Sequence, residues 1–203
     1  MHYEIISTGS KGNCVIINDV MVDCGVPFKD IKEHLYDVKY LLLTHIHTDH
    51  IRETTLNNIK KMFPRITIIG NYEVHQLFGV NIVANASFPI ETDDYIFTPF
   101  QCEHDVLTYG FTWEYEGLNI IYATDTSSMK HAPKREYDYF FIESNHDEKK
   151  VELILRHNVN YGYDAYGGAK RHLSTQQAKA FYYSHRRNKD SKFIELHQSS
   201  RFY

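Results

Sequence analysis

Thr44-His45-Ile46-His47-Thr48-Asp49-His50 sets three imidazoles and a carboxylate within seven residues, directly after the apolar run Tyr40-Leu41-Leu42-Leu43. The run has the length and character of a buried strand, so the histidines emerge where that strand ends and a loop begins. Neutral imidazole is the usual protein ligand for zinc and related divalent ions, and a carboxylate adds a hard anionic oxygen. His45 and His47 point one way while Asp49 and His50 lie a turn further on. Two ions suit the four donors better than one.

Working outward, other strand ends deliver the same kind of group. Residues 2–7 and 14–18 read as short strands joined through Thr8-Gly9-Ser10-Lys11-Gly12-Asn13, a turn-forming cluster. Val20-Met21-Val22 ends in Asp23-Cys24-Gly25, so Asp23 either orients a ligand histidine through its far ring nitrogen or caps a turn. A strand over residues 95–101 leads into Cys102-Glu103-His104-Asp105 and makes His104 the next ligand. Residues 111–116 and 118–123 form a hairpin through Gly117 and end at Thr124-Asp125-Thr126. Asp125 has two carboxylate oxygens and can bridge cations about 3.5–4 Å apart. Residues 137–142 run to Glu143-Ser144-Asn145-His146-Asp147, where His146 is either a group that orients a ligand or a structural histidine. The strand 193–196 presents His197 at its end.

Between these lie helices. Phe28, Ile31 and Leu35 have helical spacing over residues 27–36, with Pro27 at the first helical position. Residues 51–63 form a helix stopped by Pro64, and 72–78 a brief one carrying His75. Residues 66–69 and 82–83 are short strands, and 148–157 is helical. Ser174 and Gln177 make a capping box that opens a helix over 175–186, with His172 just before it. The loop 158–171 places Tyr161, Tyr163 and Tyr166 ahead of Lys170 and Arg171. It suits a lid over a base and its phosphate, or a loop that packs its rings on the body. Arg186 and Arg187 begin the most basic short stretch and are candidate phosphate contacts, or a solvated helix end complementing the dipole.

A chain of 203 residues supports one well-buried domain over 1–203, and no linker or repeat suggests a boundary. Hydrophobic residues at 42% and charged residues at 24% exclude a disordered or membrane class, and no apolar run approaches the roughly 18 residues of a span. The start reads as a strand rather than a signal peptide, so a cytoplasmic location is expected. Cys14, Cys24 and Cys102 are odd in number and widely spaced, which argues against a disulfide framework. Net charge is -4, so any phosphate recognition must be local rather than a property of the whole surface.

This order of motifs resembles the metallo-β-lactamase-fold hydrolase superfamily, and within it the small YycJ-like (WalJ-like) branch. The branch is suggested by Ser7-Thr8-Gly9-Ser10-Lys11-Gly12-Asn13-Cys14, by Glu143-Ser144-Asn145-His146-Asp147 and by His172-Leu173-Ser174. The resemblance implies an α/β fold, a four-layer αββα sandwich of two mixed β-sheets flanked by helices. It implies a dinuclear site at one edge of the sheets: His45, His47 and His104 on one metal, Asp49, His50 and His197 on the other, and Asp125 bridging. A dizinc β-lactamase would carry cysteine where Asp125 stands, and a flavodiiron protein glutamate where His47 stands. The glycine often found soon after the last histidine of the main motif is absent from Ile51-Arg52-Glu53-Thr54.

The expected function is a metal-dependent phosphodiesterase or nuclease acting on DNA or RNA through a metal-bridging hydroxide. Zinc is the expected metal, two ions per chain, with manganese or iron as alternatives. Asp49 is placed to accept the water's proton and His172 to give one to the leaving oxygen. One alternative is a phosphodiesterase for a small cyclic or signalling nucleotide. Another is a non-catalytic metal-binding assembly subunit, which the complete set of seven ligands disfavours. No membrane partner is expected, and the sequence is silent on oligomeric state.

Overall fold

The computed structural model describes residues 1–156, 167, 169–199 and 203, which divide into two compact units, Met1–Asn85 and Ala86–Tyr203. The first unit holds a six-stranded sheet in the order β1-β2-β3-β4-β5-β6. Its strands are β1 (Tyr3–Ser7), β2 (Cys14–Ile17), β3 (Val20–Val22), β4 (Tyr40–Leu43), β5 (Thr67–Gly70) and β6 (Ile82–Val83). β1 to β3 pair antiparallel and β3 to β6 parallel, so the sheet is mixed. β4 is buried along its whole length, as the continuous apolar run requires of a central parallel strand.

The connections carry α1 (Phe28–Ile31), α2 (Glu53–Met62) and α3 (Tyr72–Phe78). Ile31, Leu35, Leu56, Ile59 and Val74 pack in one core cluster with Leu41 and Leu43 of β4. The helix expected over 27–36 is broken. Pro27 is the N-cap of a four-residue α1, and a separate 3₁₀ turn spans His34–Tyr36. Ile31 and Leu35 are both fully buried all the same, so burial of the apolar spacing outlasts the loss of regular helix.

The second unit holds a six-stranded sheet in the order β12-β11-β10-β9-β8-β7. Its strands are β7 (Ile90–Glu91), β8 (Ile96–Cys102), β9 (Thr108–Tyr115), β10 (Leu118–Ala123), β11 (Tyr139–Glu143) and β12 (Lys192–Leu196). β7 to β10 are antiparallel and β10 to β12 parallel. The helices are α4 (Glu148–Arg156) and α5 (Thr175–His185). α5 lies on the sheet through Ala178, Phe181 and Tyr182; the Tyr182 ring stands 5.0 Å from Phe140 and 5.2 Å from Phe193. The capping box at Ser174 and Gln177 forms as expected. Two mixed sheets flanked by helices give the α/β class read from the sequence.

These topologies decide where polar groups emerge. β3, β4 and β5 run parallel, so Asp23, Thr44 and Asn71 follow their C-terminal ends at one edge of the first sheet. β8, β10, β11 and β12 also share a direction, which brings residues 103–104, 124–125, 143 and 197 to one edge of the second. Ligand sites in α/β sheets gather at such C-terminal edges. Three of these residues, Asp23, Asp125 and His197, have positive φ of 61°, 51° and 52°. Non-glycine residues adopt that conformation sparingly, and it concentrates at functional sites.

Candidate metal and hydrolytic site

In the first unit the histidine motif is held from below. Asp23 is fully buried and accepts hydrogen bonds from the Thr44 backbone N–H at 2.9 Å, the Thr44 hydroxyl at 2.9 Å and the His50 Nδ1 at 2.7 Å. Of the two roles open to Asp23, the contact with a histidine ring nitrogen is the one seen. Asn13 closes the other side: its Nδ2 lies 2.8 Å from His50 Nε2, and its Oδ1 accepts from the Gly9 N–H at 2.8 Å. The Asn13 backbone N–H donates to the Asp49 carbonyl at 2.7 Å, so the glycine-rich turn is tied to the motif.

Gly25 meets the same segment. A Cβ built there would stand 1.8 Å from the Asp49 carbonyl oxygen, so only glycine lets the two backbones touch. His45 Nε2 and His47 Nδ1 are 3.1 Å apart, and His50 Nε2 is 3.9 Å from Asp49 Oδ2. Two nitrogens on a tetrahedral zinc with bonds of about 2.0–2.1 Å stand roughly 3.4 Å apart, so these pairs have the spacing of co-ligands.

In the second unit Asp125 is the hub. Its Oδ1 lies 3.6 Å from His197 Nε2, 3.8 Å from His172 Nδ1 and 4.0 Å from His104 Nε2. The His197 and His104 distances exceed hydrogen-bond length and match donors arranged around a common cation, whereas His172 Nδ1 is taken by Glu143. One donor atom from each of Asp125, Glu143, His172 and His197 lies within 4.8 Å of the others.

Glu143 is a candidate site residue that the sequence reading did not single out. It ends β11, is fully buried, bonds His172 Nδ1 through Oε1 and lies 3.3 Å from His197 Nδ1. Its other oxygen accepts from the Thr126 N–H at 2.9 Å. Burial works against the ionised carboxylate, but the two imidazole contacts more than offset it and hold Glu143 below the ordinary carboxylate range. Burial likewise opposes a charged His172, and the Glu143 hydrogen bond and charge, with Asp125, outweigh that and raise its pKa. The two shifts agree in describing a partly buried ion pair. An acid at a strand end is the signal that found Asp23 and Asp125, and it was present here too.

Other expected site residues separate into groups. Asn145 Nδ2 donates to the His197 carbonyl at 2.9 Å and fixes the last histidine's backbone. His146 is buried beside the start of α5, where its carbonyl accepts from the Thr175 N–H at 2.8 Å. Burial lowers its pKa and favours the neutral ring. Lys170 and Arg171 are exposed; Arg171 Nη1 is 3.7 Å from Asp105, whose other oxygen is 3.1 Å from His104 Nε2.

Arg186 and Arg187 sit at the C-terminal end of α5. His172 precedes its N-terminus, and eleven helical residues span about 16 Å. Arg187 bonds the Gly117 carbonyl and lies 3.2 Å from Asp138, and Arg186 lies 5.0 Å from the Tyr183 ring centre. The structure thus sets both arginines apart from the strand-end cluster. Tyr161, Tyr163 and Tyr166 of the expected lid lie outside the described residues. Cys14, Cys24 and Cys102 are free and buried, and burial pushes the Cys102 thiol up to about 12, which makes it inert near neutral pH. No helix among the described residues is long and apolar enough to cross a membrane.

No protein-family model matches the chain. It is similar to the exodeoxyribonuclease YycJ of Bacillus anthracis, 25% identical over 181 residues, covering 75% of this chain and 66% of that protein. The chain therefore spans just under two thirds of that relative's length. Its fold matches the crystal structure of human tRNase Z, short form, with a TM-score of 0.70 and 16% identity over 99% of this chain and 94% of that one. It also matches the metallo-β-lactamase-fold protein YhfI of Bacillus subtilis, with a TM-score of 0.71 and 15% identity over 97% and 85% of the two chains. With its two mixed sheets and donor-bearing strand ends, the chain has the metallo-β-lactamase fold.

Proposed function

We propose that the chain is a metal-dependent hydrolase of phosphodiester bonds in nucleic acid, using two divalent ions of which zinc suits the donors best. His45, His47 and His104 would hold one ion, Asp49, His50 and His197 the other, and Asp125 both, as the family resemblance implies. The observation that carries the reading is the second unit's cluster, where metal-type donors, Asp125 and His197, adjoin a histidine bonded to a buried acid. Hydrolysis of a phosphodiester needs both elements. Charge on the non-bridging oxygens must be neutralised, and the departing oxygen must receive a proton. The similarity to an exodeoxyribonuclease points to the same substrate class.

Bound divalent ions would supply that neutralisation and lower the pKa of a water towards 7. The chain's own residues do the rest. Asp49 accepts the attacking water's proton. His172 gives a proton to the leaving oxygen, and Glu143 orients its ring through Nδ1, leaving Nε2 for the substrate. Asp23 and Asn13 set the His50 ring from opposite nitrogens.

The test is a panel of single-stranded DNA, RNA and cyclic nucleotides incubated with zinc- or manganese-loaded protein, with metal content measured in parallel. Two ions per chain and cleavage of a nucleic-acid strand, both lost in Asp125→Ala, are expected. Cleavage confined to cyclic nucleotides would move the substrate to a small molecule. Fewer than two ions, with Asp125→Ala leaving hydrolysis unchanged, would overturn the catalytic reading.

A further inference from the structure

The first unit carries a cavity of about 520 Å³, within the roughly 300–1,000 Å³ typical of small-ligand pockets. Asp49 stands in its wall, so the cavity opens directly beside the histidine motif. Lys11 of the β1–β2 turn and Arg52 before α2 supply cations to it, Ser10, Thr48 and Thr54 supply hydroxyls, and Phe78 an apolar wall.

Both cations are exposed, and neither has an ion pair among the described residues. Some cations elsewhere are held by carboxylates: Lys39 by Asp19 at 3.3 Å, Arg187 by Asp138 at 3.2 Å, Arg171 by Asp105 at 3.7 Å. Glu53 also lines the cavity. The lining thus holds two acids and two cations, and the cations outnumber the remaining acid once Asp49 ligates a metal as the proposed function has it. The α2 N-cap, Arg52, makes no side-chain cap, so backbone N–H groups at that helix start add to the positive side.

The wall is built in advance. The turn carrying Ser10 and Lys11 is closed by the Gly12 N–H to the Gly9 carbonyl at 2.9 Å and by Asn13, which ties it to Asp49. Gly12, at φ 143°, and Gly25 pack so closely that a Cβ on Gly12 would stand 2.6 Å from the Gly25 carbonyl oxygen. The turn backbone is therefore fixed before a ligand enters, and only the exposed Lys11 and Arg52 side chains remain to be ordered on binding.

We infer that this cavity seats the nucleotide next to the scissile bond on a single strand, with that nucleotide's phosphate on Lys11 and Arg52. The inference rests on the phosphodiesterase reading for its ligand class. It explains how a chain with net charge -4 can grip a polyanion: recognition is confined to one cationic recess beside the reacting centre.

The test is binding of a fluorescent phosphorothioate oligothymidylate, followed by anisotropy across a salt series. Lys11→Ala with Arg52→Ala should weaken binding about tenfold. It should also flatten the log-log salt slope by about 1.4, the release expected for two phosphate contacts on a single strand. Lys189→Ala, which removes an exposed cation elsewhere, should stay within about twofold of the parent. Parent protein that does not bind, a double variant that binds like the parent, or an equal loss in Lys189→Ala would each overturn the subsite. A parent that binds through these residues but hydrolyses no strand supports the subsite and sinks the phosphodiesterase reading. Hydrolysis with unchanged binding in the double variant does the reverse.

Discussion

Asp23 accepts a 2.7 Å hydrogen bond from the Nδ1 of His50, both side chains being wholly buried. The bond sets the tautomer: with the proton on Nδ1, the Nε2 lone pair faces away from Asp23. Asn13 is consistent with the assignment from the other side: its Oδ1 accepts from the Gly9 N–H, which turns its Nδ2 donor towards His50 Nε2 and the Gly9 and Asp49 carbonyls. A metal ion could bind His50 only through Nε2, and it would take the place of the Asn13 Nδ2 contact at 2.8 Å.

Asp23→Asn should lower metal affinity by about 10–100-fold, the usual effect of removing a carboxylate behind a ligating histidine. Titration against a chelating dye reads this directly, and unchanged affinity would reduce Asp23 to a turn cap. Asp23→Ala also strands the Thr44 N–H and should cost about 1–3 kcal/mol in denaturant unfolding.

Gly25→Ala tests how closely the turn after β3 and the histidine motif must meet. The added methyl would lie 1.8 Å from the Asp49 carbonyl oxygen, so one backbone segment has to move. We expect a loss of about 1–3 kcal/mol or more. Because Asp49 is the segment displaced, metal content should fall with stability. A variant that melts and loads metal like the parent would show that the loop yields freely.

The strand ends were legible because two signals coincide there. An apolar run stops and a histidine or aspartate follows, which marked Asp23, His45, His104, Asp125 and His197 without any tertiary information. Glu143 carries the same signal, directly after the run 137–142, but the more conspicuous His146 three positions on drew the reading away. Asn13 read as a turn former, since an amide after a glycine in a turn gives no hint that its side chain reaches a histidine 37 residues later. The helix over 27–36 failed for a different reason. Apolar spacing reports which residues are buried, and Ile31 and Leu35 are, whether the backbone between them is α or 3₁₀.

Arg187 distinguishes a structural cation from a substrate contact. Its guanidinium joins the β9–β10 turn at Gly117 to Asp138, whose carboxylate also accepts from the Asn119 N–H at 2.7 Å. Asp138 keeps a partner when Arg187 is removed, and the arginine is partly solvated. Arg187→Ala should therefore cost only about 0.5–1 kcal/mol. Affinity for an oligonucleotide should not change. Loss of affinity with unchanged stability would return Arg187 to the substrate path.

Glu143 and His172 together predict a dependence on the leaving group. A p-nitrophenolate departs without help, whereas a sugar alkoxide needs a proton as the bond breaks. If Glu143 positions His172 as the donor, Glu143→Gln and His172→Ala should slow cleavage of a nucleic-acid strand by about 10²–10⁴-fold. The same variants should slow a p-nitrophenyl phosphodiester by much less. A purely structural role for Glu143 predicts otherwise, because disturbing Asp125 and His197, which share its cluster, would depress both substrates alike. Metal content separates the cases further: it should stay at the parent level in His172→Ala, whose ring bonds the acid rather than belonging to the proposed ligand set. Equal losses on both substrates with metal retained would remove the proton donor from the mechanism.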